Sequence, residues 1–438
     1  MPLREVLPSD LPVFYEHQAD PDALRMAGMP GRDRETFMTH WQTTVLGQPS
    51  VVVRTVLHEG NVAGTINTFE SEGRRLLGYF FGKTYWGKGV ATLAIREFLK
   101  LETSRPLFAF VSNDNLGSLR ALEKNGFTRV EEIPNRLGDG ITDVLLKLAR
   151  PRVALVTSSA FPHLYEDDLL LVAALEEISV DSRPAVWSDP TVDWLAFDAL
   201  VIRSPWDYFE RLDEFRPWLD ARIASGVRMC NSSEIIDWNF DKRYLQDLAA
   251  AGVLLVPTIV VPRGDSPDIV ALARARGWEE IVVKPTISGG AYGTHRFRLD
   301  AADEYRDDIA RTLSDRGLLI QPFLPEILSA GELSLLFFDG VFSHAVCKRP
   351  KVGDYRVQFV FGGTSETVDV RDEWIAEARA CIAAAPALPV YARVDGVIQD
   401  GKFLLMEFEV FEPLMFLSRH PLAAGRFARA IRGRLTPN

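Results

Sequence analysis

Arg393 and Asp395 stand two apart on one apolar run near the C-terminal end, and Glu407 and Glu409 stand two apart on the next, across a turn at Gln399, Asp400 and Gly401. On strands, a spacing of two sends both members of a pair to one side of a sheet. Where the two sides coincide, three carboxylates converge beside one arginine, a set that repels itself unless a cation joins it. Magnesium takes such oxygens together with those of phosphate and water. The alternative is the solvated face of an edge strand, and the apolar neighbours Val394, Leu405, Met406 and Phe408 weigh against it.

Upstream lie groups that could hold phosphates. Lys242 opens a predicted helix over 241–251, and Lys284 ends the apolar run Val282, Val283. Two cations so placed can offset the charge of ATP phosphates, although either could be a solvated surface lysine. Ser288, Gly289 and Gly290 begin a glycine turn whose amides could close over terminal phosphates, a motif of low specificity by itself. The run 318–327 predicts a strand whose end, at Gln321, Phe323 and Leu324, could present backbone groups to an adenine edge, with Glu326 accepting from ribose hydroxyls. Glu332 starts the next strand and either serves the nucleotide or ends an exposed loop.

A second glycine turn, Gly87, Lys88, Gly89, Val90 and Ala91, leads from a strand into a helix. Such a turn exposes unpaired amides, and the helix dipole adds to the attraction for an anion. A pyrophosphate would fit there; the alternative is a plain strand-to-helix connection.

The elements that must position these groups fall into more than one domain, since 438 residues exceed what one compact core usually holds. The seam lies near 150, where a strand over 143–148 ends and the apolar run 153–156 begins. Before it, helices near 9–19 and 33–46, strands near 50–57, 62–70 and 75–82, and two later helices predict a small α/β domain with a mostly antiparallel sheet. After it, strand, helix (166–178) and strand alternate as parallel βαβ units do. Beyond 253 the pattern becomes α+β. The composition, 47% hydrophobic and 25% charged, is that of a globular protein, and no apolar run is long enough to span a membrane. A net charge of -11 argues against nucleic acid as a partner. Cys230, Cys347 and Cys381 lack disulfide or zinc spacing, and the N-terminus lacks the pattern of a secretory signal, so a cytoplasmic protein is expected.

Two resemblances follow. Trp86-Gly87-Lys88-Gly89-Val90-Ala91, with Asn113-Asp114-Asn115-Leu116-Gly117-Ser118 and the helix ending Glu123-Lys124-Asn125-Gly126-Phe127, resembles the GNAT acetyltransferase family over 1–149. That resemblance implies acetyl-CoA, held through its pyrophosphate by the amides of Gly87 to Ala91, with Asn115 and Ser118 near the pantetheine arm and thiolate. Glu70 stands where the family often keeps an acidic residue and is the candidate base, the alternative being a surface carboxylate. The remainder resembles the ATP-grasp superfamily, in particular the branch of cycloserine ligase and glutathione synthetase-like proteins. Arg203-Ser204-Pro205-Trp206-Asp207-Tyr208, Val283-Lys284-Pro285, Gln321-Pro322-Phe323 and Met406-Glu407-Phe408-Glu409 carry that likeness.

The second resemblance implies a Rossmann-like subdomain over 150–240, nucleotide- and metal-binding subdomains over 241–438, and Asp395, Glu407 and Glu409 on Mg2+. Many relatives have asparagine in the last place, so Glu409 alters the charge there. Lys348 and Arg356 are the candidates to stabilise an acyl-phosphate, beside Arg393. Arg203 and Asp207, at the end of a Rossmann-like strand, are candidates to touch the acceptor or to form a structural turn. The implied protein is a bifunctional ligase and N-acetyltransferase acting on small-molecule, amino-acid-like substrates, with a homo-oligomer allowed. The rival readings are an acetyl-CoA-binding module without chemistry in the first domain, or an enzyme that modifies proteins.

Overall fold

The computed structural model describes residues 2–134 and 142–435, and the chain divides after Arg150 into two compact units. The first unit is built on a seven-stranded sheet. Its order is Leu3–Arg4, Val52–His58, Asn61–Ser71, Arg74–Phe81, Leu107–Ser112, Thr142–Leu148 and Thr128–Pro134. Its neighbours are antiparallel except at the centre, where Arg74–Phe81 and Leu107–Ser112 run parallel and pair through Leu76 and Phe108. From that rung the two strands part toward Phe81 and Ser112. Val90, Ala94, Ile95 and Phe98 form one apolar stripe on the helix Val90–Phe98, and the sheet buries it.

The second unit stacks three sheets. Its first is parallel, in the order Met229–Cys230, Ala199–Ser204, Arg152–Thr157 and Asp181–Val186, as the βαβ alternation predicts. A four-stranded antiparallel sheet follows, in the order Ile259–Val261, Leu318–Pro322, Glu280–Pro285 and His295–Arg298. The largest has five strands, Thr364–Thr367, Val341–Arg349, Glu332–Phe338, Tyr391–Gln399 and Lys402–Glu409. Phe427 of the C-terminal helix Ala423–Leu435 packs on Phe338 and Tyr391, with ring centroids 4.9 and 5.0 Å away. Among the described residues no helix is long and apolar enough to cross a membrane.

Two buried asparagines fix the hairpin that carries the carboxylates. Asn231 donates to the carbonyls of Tyr391 and Val410 at 2.9 and 2.7 Å and accepts from the amides of Val390 and Tyr391. Asn239 donates to the carbonyl of Phe408 and accepts from the amide of Val410. The Tyr244 hydroxyl accepts from the amide of Phe408, Glu377 accepts from that of Phe403, and the stretch 254–256 bonds to Leu405. Losing the Asn231 amide strands buried backbone groups, each costing about 1–3 kcal/mol. Asn231→Ala is therefore expected to lower stability by about 3 kcal/mol, read by urea unfolding; an unchanged midpoint would show that these bonds hold nothing together.

Candidate active site

The pairing register sets the charges. Arg393 lies opposite Glu409, Asp395 opposite Glu407 and Ser334, and Glu332 opposite Lys348, so period two brings them to one face of the five-stranded sheet. That face closes a cavity of about 1120 Å³ whose far side is formed by Lys284, Gln321, Leu324 and the turn Ser288, Gly289, Gly290.

Each of the four carboxylates on this face, Glu332, Asp395, Glu407 and Glu409, meets a cation. Arg393 bonds Asp395 at 3.0 Å and Glu409 at 2.5 Å, and donates to the carbonyl of Leu414. Lys348 reaches Glu332 at 2.5 Å and Asp395 at 3.2 Å, and Ser334 donates to Asp395. Lys242 and Lys284 converge on Glu407, at 3.1 and 3.9 Å, while Lys242 also donates to the carbonyl of Ser288. Burial works to raise Asp395, but Arg393 and Lys348 outweigh it and hold the carboxyl below its ordinary range. Glu409 goes the other way: burial, reinforced by Glu407 and Glu412 against Arg393, pushes it up to about 8.

This donor chemistry tests the expected metal. Glu409 is short of positive charge and lies beside Glu407, which suits an oxygen-seeking divalent cation. Asp395 has its oxygens engaged by Ser334, Lys348 and Arg393. Among the described residues no three His, Cys, Asp or Glu side chains form a ready metal-binding group. The three expected carboxylates thus share one face, but each is ion-paired and they do not form a bare cluster.

Other expected residues divide. Lys242, Lys284, Ser288, Gly289, Gly290, Gln321, Leu324, Glu332, Lys348, Arg356, Arg393, Asp395, Glu407 and Glu409 all line the cavity. Arg356 does so while clasping Asp354 and lying over Phe361. The Phe323 ring turns out of it, under Arg296 with the guanidinium carbon 3.5 Å from the ring centroid, and its amide, one of the backbone groups expected at an adenine edge, donates to the carbonyl of Glu280. Glu326 is held by Gln399 at 3.0 Å and does not face the cavity.

Arg203 and Asp207 take the structural role of the two expected for them, not contact with an acceptor in the cavity. Arg203 is fully buried, bonds Asp168 and the carbonyl of Pro413, and lies outside the cavity wall. Asp207 accepts from Trp187 and Arg211. Their neighbours Trp206 and Tyr208 are the ones that face the cavity, with Phe161, Tyr165, Phe359 and Glu412. Glu412 was missed because it lies three past Glu409, where the strand and its alternation have ended.

In the first unit Gly87 and Gly89 take φ of 72° and 76°, turning the chain into the helix Val90–Phe98 and leaving its first amides open. Lys88, Val90 and Ala91 belong to this turn and first helical residues. Asn115 caps the next helix by accepting from the amide of Ser118, whose hydroxyl lies 2.5 Å from that of Tyr79, across the parting of the two central strands. Glu70 is half exposed beside Arg75, at 3.6 Å, at the hairpin end of its strand. The ladder pairs it with Arg75, six residues from Phe81, so about 20 Å separates it from the strand end that feeds the glycine turn.

Two antiparallel sheets closing on a cavity of lysines and carboxylates, behind a parallel α/β layer, make the second unit an ATP-grasp ligase. The chain belongs to the family of the cycloserine ligase DcsG. It is 34% identical over 301 residues to the cycloserine biosynthesis protein DcsG of Streptomyces lavendulae, covering 65% of this chain and 99% of that protein. The crystal structure of D-cycloserine synthetase DcsG superposes with a TM-score of 0.60, at 34% identity, over 65% of this chain and 99% of that one. Residues 153–231 match the D-cycloserine synthetase DcsG N-terminal domain, and residues 1–128 match the acetyltransferase (GNAT) domain. A glutathione synthetase of Prochlorococcus marinus (strain MIT 9313) is 31% identical over 167 residues, 36% of this chain and 50% of that protein.

The raised Glu409 predicts a pH dependence. The folded chain binds this proton more tightly than the unfolded chain, so stability falls as pH rises from the ordinary carboxylate range through about 8. Urea midpoints measured without added metal should show that decline, and Glu409→Gln should flatten it; an equal slope in the variant would place the raised group elsewhere.

Proposed function

We propose that the second unit uses ATP to activate a substrate carboxylate and joins it to an amine. The convergence of Lys242 and Lys284 on Glu407, beside the glycine turn, carries this reading. The carboxylate oxygen takes the γ-phosphoryl group as the bond to ADP breaks. The amine nitrogen then bonds to the acyl carbon, phosphate leaves with the carbonyl–oxygen bond pair, and the amine proton passes to a base. Lys242 and Lys284 offset charge on the nucleotide, and Lys348, Arg356 and Arg393 on the acyl-phosphate and its adduct. Glu407 and Glu409 would hold Mg2+, which when bound neutralises phosphate charge; Asp395 serves first by orienting Lys348 and Arg393. The relation to a cycloserine biosynthesis protein supports small, amino-acid-like substrates.

The first unit is proposed to bind acetyl-CoA, its pyrophosphate on the amides from Gly87 to Ala91 and its thioester near Asn115 and Ser118. Acetyl transfer to an amine is the fuller reading. The position of Glu70, at the hairpin end and apart from the glycine turn, favours the second reading of a binding module without chemistry.

With Mg2+ and ATP, pools of amino acids and small amines should elicit phosphate release from wild type, and Lys242→Ala or Glu407→Ala should lower kcat/KM by about 100-fold or more. Silence with every pool would defeat the ligase reading for such substrates. Acetyl-CoA should raise the melting temperature of wild type but not of Gly89→Val, whose side chain is strained at this φ. Equal shifts in both would remove the glycine turn from the site.

A further inference from the structure

Past the glycine turn, the cavity extends along a stretch of wall that the phosphate chemistry leaves unused. Phe161, Tyr165 and Trp206 pack ring on ring there, with centroids 5.2 to 5.8 Å apart, and Phe359 continues the row 5.6 Å from Tyr165. Rings at these distances touch. Phe161 meets Tyr165 and Trp206 edge to face, at interplanar angles of 84° and 79°, so no ligand group fits between them and they present one continuous apolar wall and not a cage around a point charge. Trp206 spends its only donor on the backbone carbonyl of Glu412, at 3.1 Å, which leaves the indole face apolar.

The same bond ties the wall to the backbone of a residue whose carboxylate is of unusual standing. Glu332, Asp395, Glu407 and Glu409 are each salt-bridged to Lys348, Arg393, Lys242 or Lys284. Glu412 is buried, lines the cavity and has no salt bridge among the described residues. Tyr208 hydrogen-bonds this carboxylate, and Lys242 and Arg393 act on it from beyond ion-pair distance, so it has partners but no cation in contact; a cationic ligand in contact relieves the cost of burying it. Its position is set: a Cβ built on Gly289 would lie 3.6 Å from its Oε1, so the carboxylate borders the glycine turn, while the backbone of the same residue is tied to Trp206 of the aromatic wall.

From this juxtaposition we infer that the far end of the cavity is a subsite for a primary ammonium carried on a flat, apolar body. Glu412 holds the nitrogen beside the glycine turn, and the face of Phe161, Tyr165 and Trp206 covers the body. The inference builds on the ligase reading by naming the class of amine that reading requires. A small polar amine would satisfy Glu412 and leave the wall bare; an uncharged aromatic would do the reverse.

The test is isothermal titration of the full chain with phenethylamine, phenethyl alcohol and ethanolamine. Phenethylamine should bind about tenfold tighter than either of the others, since it alone combines a charge-assisted bond with apolar burial. Glu412→Gln should bring it to the level of phenethyl alcohol, and Trp206→Ala to that of ethanolamine, with Trp206→Phe retaining most of the preference. Equal binding of the three ligands to wild type, or a preference that survives both Glu412→Gln and Trp206→Ala, would overturn the assignment. Phosphate release driven by non-aromatic amines in preference to aromatic ones would also overturn it while leaving the ligase reading intact. The expected binding pattern without any ATP turnover would support the subsite and sink the ligase reading.

Discussion

Arg393 holds apart, and at the same time together, the carboxylates that would otherwise drive the cavity open. Its guanidinium fork engages Asp395 along its own strand and Glu409 across the ladder, and reaches the carbonyl of Leu414 beyond the strand. In a low-dielectric site such pairing is a requirement, because an unmatched buried carboxylate costs several kcal/mol, on the order of a domain's whole margin of stability. The register of the five-stranded sheet, the clamps at Asn231 and Asn239, and the packing of Phe427 behind Tyr391 all keep that fork in place. The pairing is nevertheless incomplete: Glu409 remains raised and Glu412 has no salt bridge among the described residues. The site is balanced for ligands that bring positive charge with them, and in the proposed function the phosphates of a nucleotide would meet Lys242 and Lys284.

Much of this arrangement was legible in the sequence because it follows a period. Residues two apart on paired strands share a face, and this is why Arg393, Asp395, Glu407 and Glu409 meet. The alternation of strand and helix after 150 likewise announced the parallel sheet. Arg203 and Asp207 show where such rules stop. They occupy the end of a parallel strand, where ligands are usually met, but which of its side chains face the cavity depends on Asp168, which recruits Arg203 inward, and on Trp187, which engages Asp207. The ring of Phe323 is likewise placed by a neighbour, Arg296, that the strand pattern does not announce. The aromatic wall had no sequence signal, since Phe161, Tyr165, Trp206 and Phe359 come from distant segments and only tertiary packing joins them. The place of Glu70 at the hairpin end is set by the strand ladder, which its residue type does not reveal.

The clamps on the hairpin have a bearing on how this protein behaves in solution. Lys402–Glu409 is the outer strand of its sheet, and an outer strand ordinarily offers a row of free backbone groups to any passing chain. Here Glu377 takes the amide of Phe403, the stretch 254–256 takes both groups of Leu405, and Tyr244 with Asn239 takes those of Phe408 and the amide of Val410. The rim of the sheet is sealed by its own molecule. Strand-to-strand growth from this border is thereby barred, and the acidic residues next to it remain available for chemistry without becoming a seed for aggregation.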